Sequence, residues 1–335
     1  MSEQIPVGVL GAGAFGTALA IQLSRRGAPA FLWGRDATAM ATMQESRENA
    51  RYLKGCALPA QLVATSDLAR LVAESGDLVI ATPSHSLRET CERLRPLLRP
   101  EQGIACAAKG LEPGSGKLAH DVISEVLGSE RCIAVISGPT FAKELGLGLP
   151  TAVTVAANDP AFAERMALRF HGDGFRAYTS TDLVGVEIGG AAKNVLAIAV
   201  GIADGLGLGA NTRSAMITRG LNEITRLACA LGAQPETLMG MAGLGDLVLT
   251  CTDNQSRNRR YGIQLGQGAT PEQAKATLEG VVEGVRAAPE VLRVARSLGV
   301  DLPLLEMAGA VIAGQVSPIE AMKRLAERPL RAELG

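Results

Sequence analysis

Four groups of residues have types and spacings that could do chemistry. Lys193 lies in LVGVEIGGAAKNVLAIAVGIADGLGLG, Leu183–Gly209, where the only other charges are Glu187 and Asp204. An ammonium buried without a partner is strongly unfavourable. Two readings therefore stand side by side: a catalytic amine whose pKa its surroundings lower, or a structural lysine with a packed stem and a hydrated head. Gly189, Gly190, Ala191 and Ala192 are small enough to let another backbone or a ligand come close. The second group is Gly11-Ala12-Gly13-Ala14-Phe15-Gly16, spaced as a dinucleotide-binding turn. In the third, Asp246 and Thr250 stand at i and i+4, on one face of a helix, as a functional pair or as an N-cap and a solvated threonine. In the fourth, Ser256-Arg257-Asn258-Arg259-Arg260 concentrates guanidinium and amide donors, which suit a small phosphate clamp.

These groups need elements to position them. Val7–Leu10 is an apolar run that leads directly into the glycine turn, followed by a helix over Thr17–Arg26 and a second strand over Ala30–Trp33. In that context Gly11 permits the turn, Gly13 lets the backbone approach a pyrophosphate, and Gly16 lets helix and strand pack. The helix N-terminus offers N–H groups and partial positive charge to the phosphates. At the end of the second strand Arg35 can pair with a 2′-phosphate, which favours NADP, while the adjacent Asp36 keeps NAD open.

Further strands are predicted over Leu62–Thr65, Leu78–Ala81, Ile104–Ala107, Ile133–Ile136, Ala152–Val155 and Phe175–Tyr178. The helices between them are Asp67–Glu74, Leu87–Leu97, Lys117–Leu127 and Pro160–Phe170. The alternation predicts an α/β domain of the Rossmann type, a doubly wound and mostly parallel sheet covered on both faces. Polar segments at Thr82–His85, Lys109–Glu112 and Ser137–Thr140 fall at the carboxyl ends of strands, where such sheets bind ligands. Gly110–Lys117, GLEPGSGK, imitates a phosphate-binding P-loop, but five residues separate Gly110 from Gly116 and Leu118 follows the lysine, so it fails the pattern.

After about Ser180 strand signals cease. Helices are predicted over Ala191–Ala203, Ile217–Leu231, Pro235–Met241, Pro271–Leu278, Val281–Leu298, Pro303–Ala313 and Pro318–Ala326, several with proline in the first turn. The division is a dinucleotide-binding domain over 1–185 and an all-α substrate-binding and catalytic domain over 186–335, with the active site expected in a cleft. The uninterrupted apolar run Val195–Ala203 is short of the ~20 residues that span a bilayer. A net charge of -1 argues against nucleic acid or a membrane surface as principal partner. No secretion signal opens the sequence. The six cysteines show no CxxC or metal-ligand spacing and read as reduced thiols of a cytoplasmic protein, without metal.

Taken together the segments resemble bacterial NAD(P)-dependent glycerol-3-phosphate dehydrogenases along essentially the whole chain. GAGAFGTALA at Gly11–Ala20, AAKGLE at Ala107–Glu112 and SGPTFAKEL at Ser137–Leu145 carry the resemblance in the first half. Glu187–Gly220, GLGDLVLTCT at Gly243–Thr252 and SRNRRYG at Ser256–Gly262 carry it in the second. The resemblance implies that Lys193 is the catalytic acid/base. It implies that Lys109, Gly138, Thr140, Asp246, Ser256, Arg257 and Asn258, with Lys193, hold the substrate. It places Gly11, Gly13, Phe15, Gly16, Arg35, Ala142, Val281 and Glu283 around NADP or NAD, with Lys109 and Arg257 touching both ligands. A homodimer and a role in supplying the glycerophospholipid backbone are implied as well. The sequence departs from the pattern at Ala14-Phe15, where Ser-Trp is frequent, and at Asp253-Asn254, where Ser-Pro is frequent. A 6-phosphogluconate-dehydrogenase-like enzyme would share the layout but carry a different clamp. A non-catalytic dinucleotide sensor would have no need of Lys193, Asp246 and Arg257 together.

Overall fold

In a computed structural model the residues described are 5–25, 27–278 and 280–329. They fall into two units, one up to Ala108 with Lys117–Leu183, the other Lys109–Gly116 with Val184 onward.

In the first unit eight strands make one sheet in the order β3-β2-β1-β4-β5-β6-β7-β8. They are β1 (Val7–Leu10), β2 (Ala30–Trp33), β3 (Leu62–Thr65), β4 (Asp77–Ile80), β5 (Ile104–Cys106), β6 (Ile133–Ser137), β7 (Thr151–Ala157) and β8 (Phe175–Ser180). The helices are α1 (Ala14–Arg25), α2 (Ala37–Ser46), α3 (Leu68–Glu74), α4 (Leu87–Leu94), α5 (Ala119–Leu127), α6 (Ala142–Leu147) and α7 (Pro160–Phe170). Strands β1 to β6 are mutually parallel, and β7 reverses against β6 with Ser137 opposite Thr154. Their near-continuous burial is what a sheet covered on both faces requires. Register levels the carboxyl ends: Leu10 pairs with both Trp33 and Ile80, and Ile80 with Cys106. The residues after β1, β2 and β6 therefore leave the sheet at one edge, which is how Gly11, Arg35 and Gly138 come to share it.

The α/β class and the mostly parallel sheet stand as the sequence predicts, and the differences have local causes. Helix α1 starts at the glycine turn itself, and the expected end at Arg26 lies outside the described residues. Helix α4 stops at Leu94: Arg95 keeps a helical conformation, but Pro96 has no N–H with which to continue the ladder. Helices α2 and α6 are short and weakly patterned, so periodicity does not announce them.

The second unit is helical: α8 (Leu183–Gly205), α9 (Gly209–Ala230), α10 (Pro235–Leu238), α11 (Asp246–Thr252), α12 (Arg257–Gly266), α13 (Pro271–Ala276), α14 (Glu283–Ser297), α15 (Pro303–Ile312) and α16 (Pro318–Ala326). Helix α8 begins eight residues before the predicted Ala191, because close packing against a neighbouring backbone overrides the poor helix propensity of Gly189 and Gly190. It has 23 residues, 18 of them in a stretch with a mean hydropathy of 1.6, so it is long and apolar enough to cross a membrane and length does not decide the matter. Burial does, since the helix is buried from Gly185 to Ala203. Lys109–Gly116 belongs with this unit: Lys109 bonds Asp246, the Gly114 N–H donates to Glu290 at 2.9 Å, and Gly116 packs against Arg293 and Val294.

One buried acid in this unit is a structural device. Glu223 on α9 accepts from the Leu304 and Leu305 N–H groups at 2.9–3.2 Å, satisfying the open first turn of α15. Burial pushes its carboxyl up to about 7, although these same bonds pull the other way. A folded pKa raised above its unfolded value gives stability that is full below about pH 4.5 and lost as pH rises through about 7. Glu223→Gln should therefore flatten the fall in thermal midpoint between pH 5 and pH 8. Melting curves across that range check this, and an unaltered slope would refute it.

Candidate active site

The residues predicted to do chemistry in the second unit converge on one carboxylate. Asp246, 1% exposed, receives Lys109 Nζ at 2.8 Å on Oδ2 and Lys193 Nζ on Oδ1. Lys193, 5% exposed, also donates to Thr250 Oγ1 at 3.0 Å. The Thr250 hydroxyl donates in turn to the Asp246 carbonyl at 2.6 Å, so its lone pair is fixed toward the lysine. Neither bland reading holds here: Asp246 caps nothing, and Thr250 is buried.

The backbone explains how the acid reaches the lysine. Met241–Gly245 forms a single π turn that runs straight into α11, a feature often found at functional positions. Gly189, one helical turn before Lys193, lies so close to this turn that a Cβ would stand 2.6 Å from the Ala242 carbonyl oxygen. Only glycine permits that approach. Periodicity could not reveal the π turn, because its i to i+5 spacing belongs to neither template, and the expected helix from Pro235 stops at Leu238 for the same reason.

Charge and burial set the protonation states. Burial pushes Lys193 down to about 8; Asp246 resists this and Lys109 adds to it. Burial alone would raise Asp246, but the ammoniums of Lys109 and Lys193 outweigh it and hold the carboxyl below its ordinary value. The cluster therefore carries two ammoniums against one carboxylate at neutral pH.

The clamp residues open α12. Ser256 caps the helix, accepting from the Arg259 N–H at 3.2 Å. Asn258 donates to Asn194 Oδ1 and accepts from the Gly284 N–H, both at 2.9 Å, so one amide ties α8, α12 and α14 together. Asn194 is a site residue that sequence reasoning missed; its signal was a second polar residue beside Lys193 in an apolar helix. Arg257 is exposed and its guanidinium lies against Gly280, where a Cβ would stand 2.4 Å from Nη1. Val281 follows Gly280, and Glu283, the first residue of α14, is held above its ordinary pKa by burial, with Arg286 and Arg257 opposing.

In the first unit the remaining predicted residues share the carboxyl edge of the sheet. Gly11 has φ +117° and backs onto Ala81, Gly13 faces open space, and Gly16 stands against the Gly11 carbonyl. Asn49, which the sequence did not single out, braces this turn by donating to the Ala12 carbonyl at 3.0 Å and to Thr17 Oγ1 at 2.7 Å. Phe15 and Ala142 pack partly buried against the sheet's core. Arg35 is exposed beyond β2, whereas Asp36 caps α2 by accepting from the Ala39 N–H at 3.0 Å. Gly138 passes close to β7, and the buried hydroxyls of Ser137 and Thr140 have no hydrogen-bond partner among the described residues. Orphaned hydroxyls of this kind suit a ligand. The glycine turn, with its open face at Gly13, fits a dinucleotide.

Residues 6–163 match the family description NAD-dependent glycerol-3-phosphate dehydrogenase N-terminus, and residues 182–323 match its C-terminus. The chain belongs to this family. A glycerol-3-phosphate dehydrogenase (NAD(P)+) of Stenotrophomonas maltophilia (strain K279a) is 52% identical over 327 residues, 98% of this chain and 96% of that one. The crystal structure of glycerol-3-phosphate dehydrogenase from Coxiella burnetii matches with a TM-score of 0.92 and 42% identity, covering 96% of this chain and 99% of that one. The enzyme of that name from Saccharomyces cerevisiae, 24% identical, shares the fold with a TM-score of 0.85 over 96% of this chain and 99% of its own.

The shared carboxylate yields a stability prediction. Asp246→Asn leaves the buried Lys193 and the half-buried Lys109 without their counter-charge, and breaking a buried pair in this way costs about 3–5 kcal/mol. Urea unfolding measures it; a loss under about 1 kcal/mol would mean the cluster is hydrated rather than buried.

Proposed function

We propose that this chain is an NAD(P)-dependent glycerol-3-phosphate dehydrogenase, catalysing reversible reduction of dihydroxyacetone phosphate to sn-glycerol 3-phosphate. The observation that carries the reading is the buried Lys193–Asp246–Lys109 cluster in a unit that also holds the Ser256-Arg257-Asn258 clamp. Neither a carboxylate-substrate dehydrogenase nor a dinucleotide sensor accounts for that combination. A cytoplasmic homodimer serving glycerophospholipid synthesis is the setting we infer.

Gly11, Gly13, Phe15, Gly16, Arg35 and Ala142, with Val281 and Glu283, hold the cofactor in this reading, and Lys109 and Arg257 contact both ligands. When bound, the nicotinamide supplies the hydride. Gly138, Thr140, Ser256, Arg257 and Asn258 hold the substrate, its phosphate placed by the directed donors of Arg257 and Asn258 so that the central carbonyl is aligned. Lys193 spends two of its three donors on Asp246 and Thr250, and the third serves the carbonyl oxygen. As negative charge develops there, Lys193 polarises the oxygen and gives it a proton; in the reverse direction the neutral amine takes the hydroxyl proton. Asp246 holds the amine in place, and the net positive charge of the cluster favours a phosphorylated substrate.

NADPH is the preferred cofactor in this reading. Arg35 stands exposed past β2, and Asp36, the alternative partner for ribose hydroxyls, is occupied as a helix cap. Arg35→Ala should raise KM for NADPH at least tenfold more than KM for NADH, and equal losses in paired kinetics would refute the preference.

Absorbance of NADPH followed with dihydroxyacetone phosphate tests the activity directly. Lys193→Ala should lower kcat by about 10³-fold or more while leaving NADPH binding intact. Because the donor is an ammonium with a pKa of about 8, kcat/KM for reduction should fall tenfold per unit above about pH 8. Oxidation, which needs the neutral amine, should rise to a plateau through the same value. Profiles flat from pH 7 to 9.5 in both directions would remove Lys193 from proton transfer.

A further inference from the structure

Arg259 lies within the arginine-rich run but takes a different path from Arg257. Its side chain is buried and donates through Nε and Nη2 to Asp204 Oδ2, at 3.1 and 2.6 Å, and through Nη1 to Asn254 Oδ1. Asp204, near the end of α8, has its side chain only 7% exposed and takes a second guanidinium: Arg213 of α9 donates to Oδ1 at 2.9 Å through Nε and at 2.7 Å through Nη2. One carboxylate thus fastens α8 to both α9 and α12.

The contact between α8 and α12 shows why such a fastening matters. The two helices meet backbone to backbone: a Cβ on Gly201 would lie 2.2 Å from the Arg259 carbonyl oxygen, and one on Gly262 would lie 2.1 Å from that of Ile198. Gly205 and Gly266 repeat the contact one turn further along. Glycine faces fix the separation of the two helices, and the apolar side chains beside them, Ile198 and Ile202 with Tyr261 and Leu265, make non-directional contacts that resist sliding along the axis only weakly. A charged, forked pair at one point does fix it. The slide it prevents is the one that would move Ser256, Arg257 and Asn258 past Lys193 and Asn194. The loop leading into α12 contains no proline and is likewise ordered by side chains, Asn254 through Arg259 and Asp253 through the Gln255 N–H at 2.7 Å.

We propose that Asp204 is a positioning residue for the phosphate clamp, setting through Arg259 the distance between the clamp and Lys193. The proposal rests on the function inferred above. It concerns a residue that touches neither substrate nor cofactor, in an interaction separate from the Asp246 cluster.

Asp204→Asn keeps the shape of the side chain and removes the charge, leaving two guanidiniums facing each other. KM for dihydroxyacetone phosphate should rise at least tenfold, and the inhibition constant of inorganic phosphate against that substrate should rise in parallel. KM for NADPH, which shares only Arg257 with the clamp, should rise by no more than threefold, and the Lys193 limb near pH 8 should not move. Arg213→Ala, which keeps the Asp204–Arg259 fork, should change substrate KM by less than threefold. If Asp204→Asn does not fold, Arg259→Lys replaces it, retaining charge but losing the fork, with the same pattern expected. A folded variant whose substrate KM and phosphate inhibition stay within twofold of the parent would overturn the proposal, as would a matching rise in the NADPH KM. Absence of turnover in the parent protein would instead overturn the assigned reaction.

Discussion

Two ammoniums on one buried carboxylate are the constraint around which the second unit is arranged. Each ion would be strongly unfavourable to bury alone, and in low dielectric their attraction is large enough to offset that only when the geometry is good. The fold meets the condition with local measures. Gly189 admits the π turn, the π turn directs Asp246 toward α8, and Thr250 supplies a second acceptor whose orientation is already fixed. Lys109 comes from a segment, Lys109–Gly116, that leaves its sequence neighbours to join this unit. The outcome is a site with one positive charge in excess, suited to an anionic ketone.

Glycine has a second use in this unit besides turns. In α8 and α12 it lets carbonyl oxygens approach where a methyl group would collide, and Gly284 does the same against the Asn194 carbonyl. Glycine inside a helix costs about 1 kcal/mol relative to alanine, so its recurrence in buried helices marks contacts that need backbone proximity. The polar bonds of Asn258 and Arg259 run alongside those contacts, which places the clamp by hydrogen bonds rather than by bulk packing.

How much of this was legible varies with the kind of signal. Each of the eight strands overlaps a predicted segment, β4, β6, β7 and β8 reaching one or two residues past its bounds, because buried parallel strands are short apolar runs between turns and the glycine turn fixed where the first of them ends. Lys193 was visible as an anomaly of composition, and Asp246 with Thr250 as a pair on one helix face. Their meeting was not, since it depends on a π turn that no simple period describes. Asn194 and Asn49 were passed over because a single asparagine has no pattern; only its bonds reveal it. Arg259 and Arg257 looked alike in sequence, and their opposite environments come from where α12 begins, which the Ser256 cap decides.

The long, almost wholly buried helix α8 carries the amine proposed to change protonation, and these two facts are connected. A lysine in water holds its proton too firmly to exchange it readily near neutral pH, whereas desolvation lowers that grip. Asp246 limits the effect, so the amine comes to rest at about 8 instead of losing its proton altogether. Cys251 shows the same environment acting on an acid: burial pushes its thiol up to about 12, so it stays neutral beside Lys193 and does not compete with Asp246 as counter-charge. The apolar wall and the single carboxylate act in opposite directions on one amine. Removing either would leave a lysine that is too basic to accept a proton or too acidic to keep one.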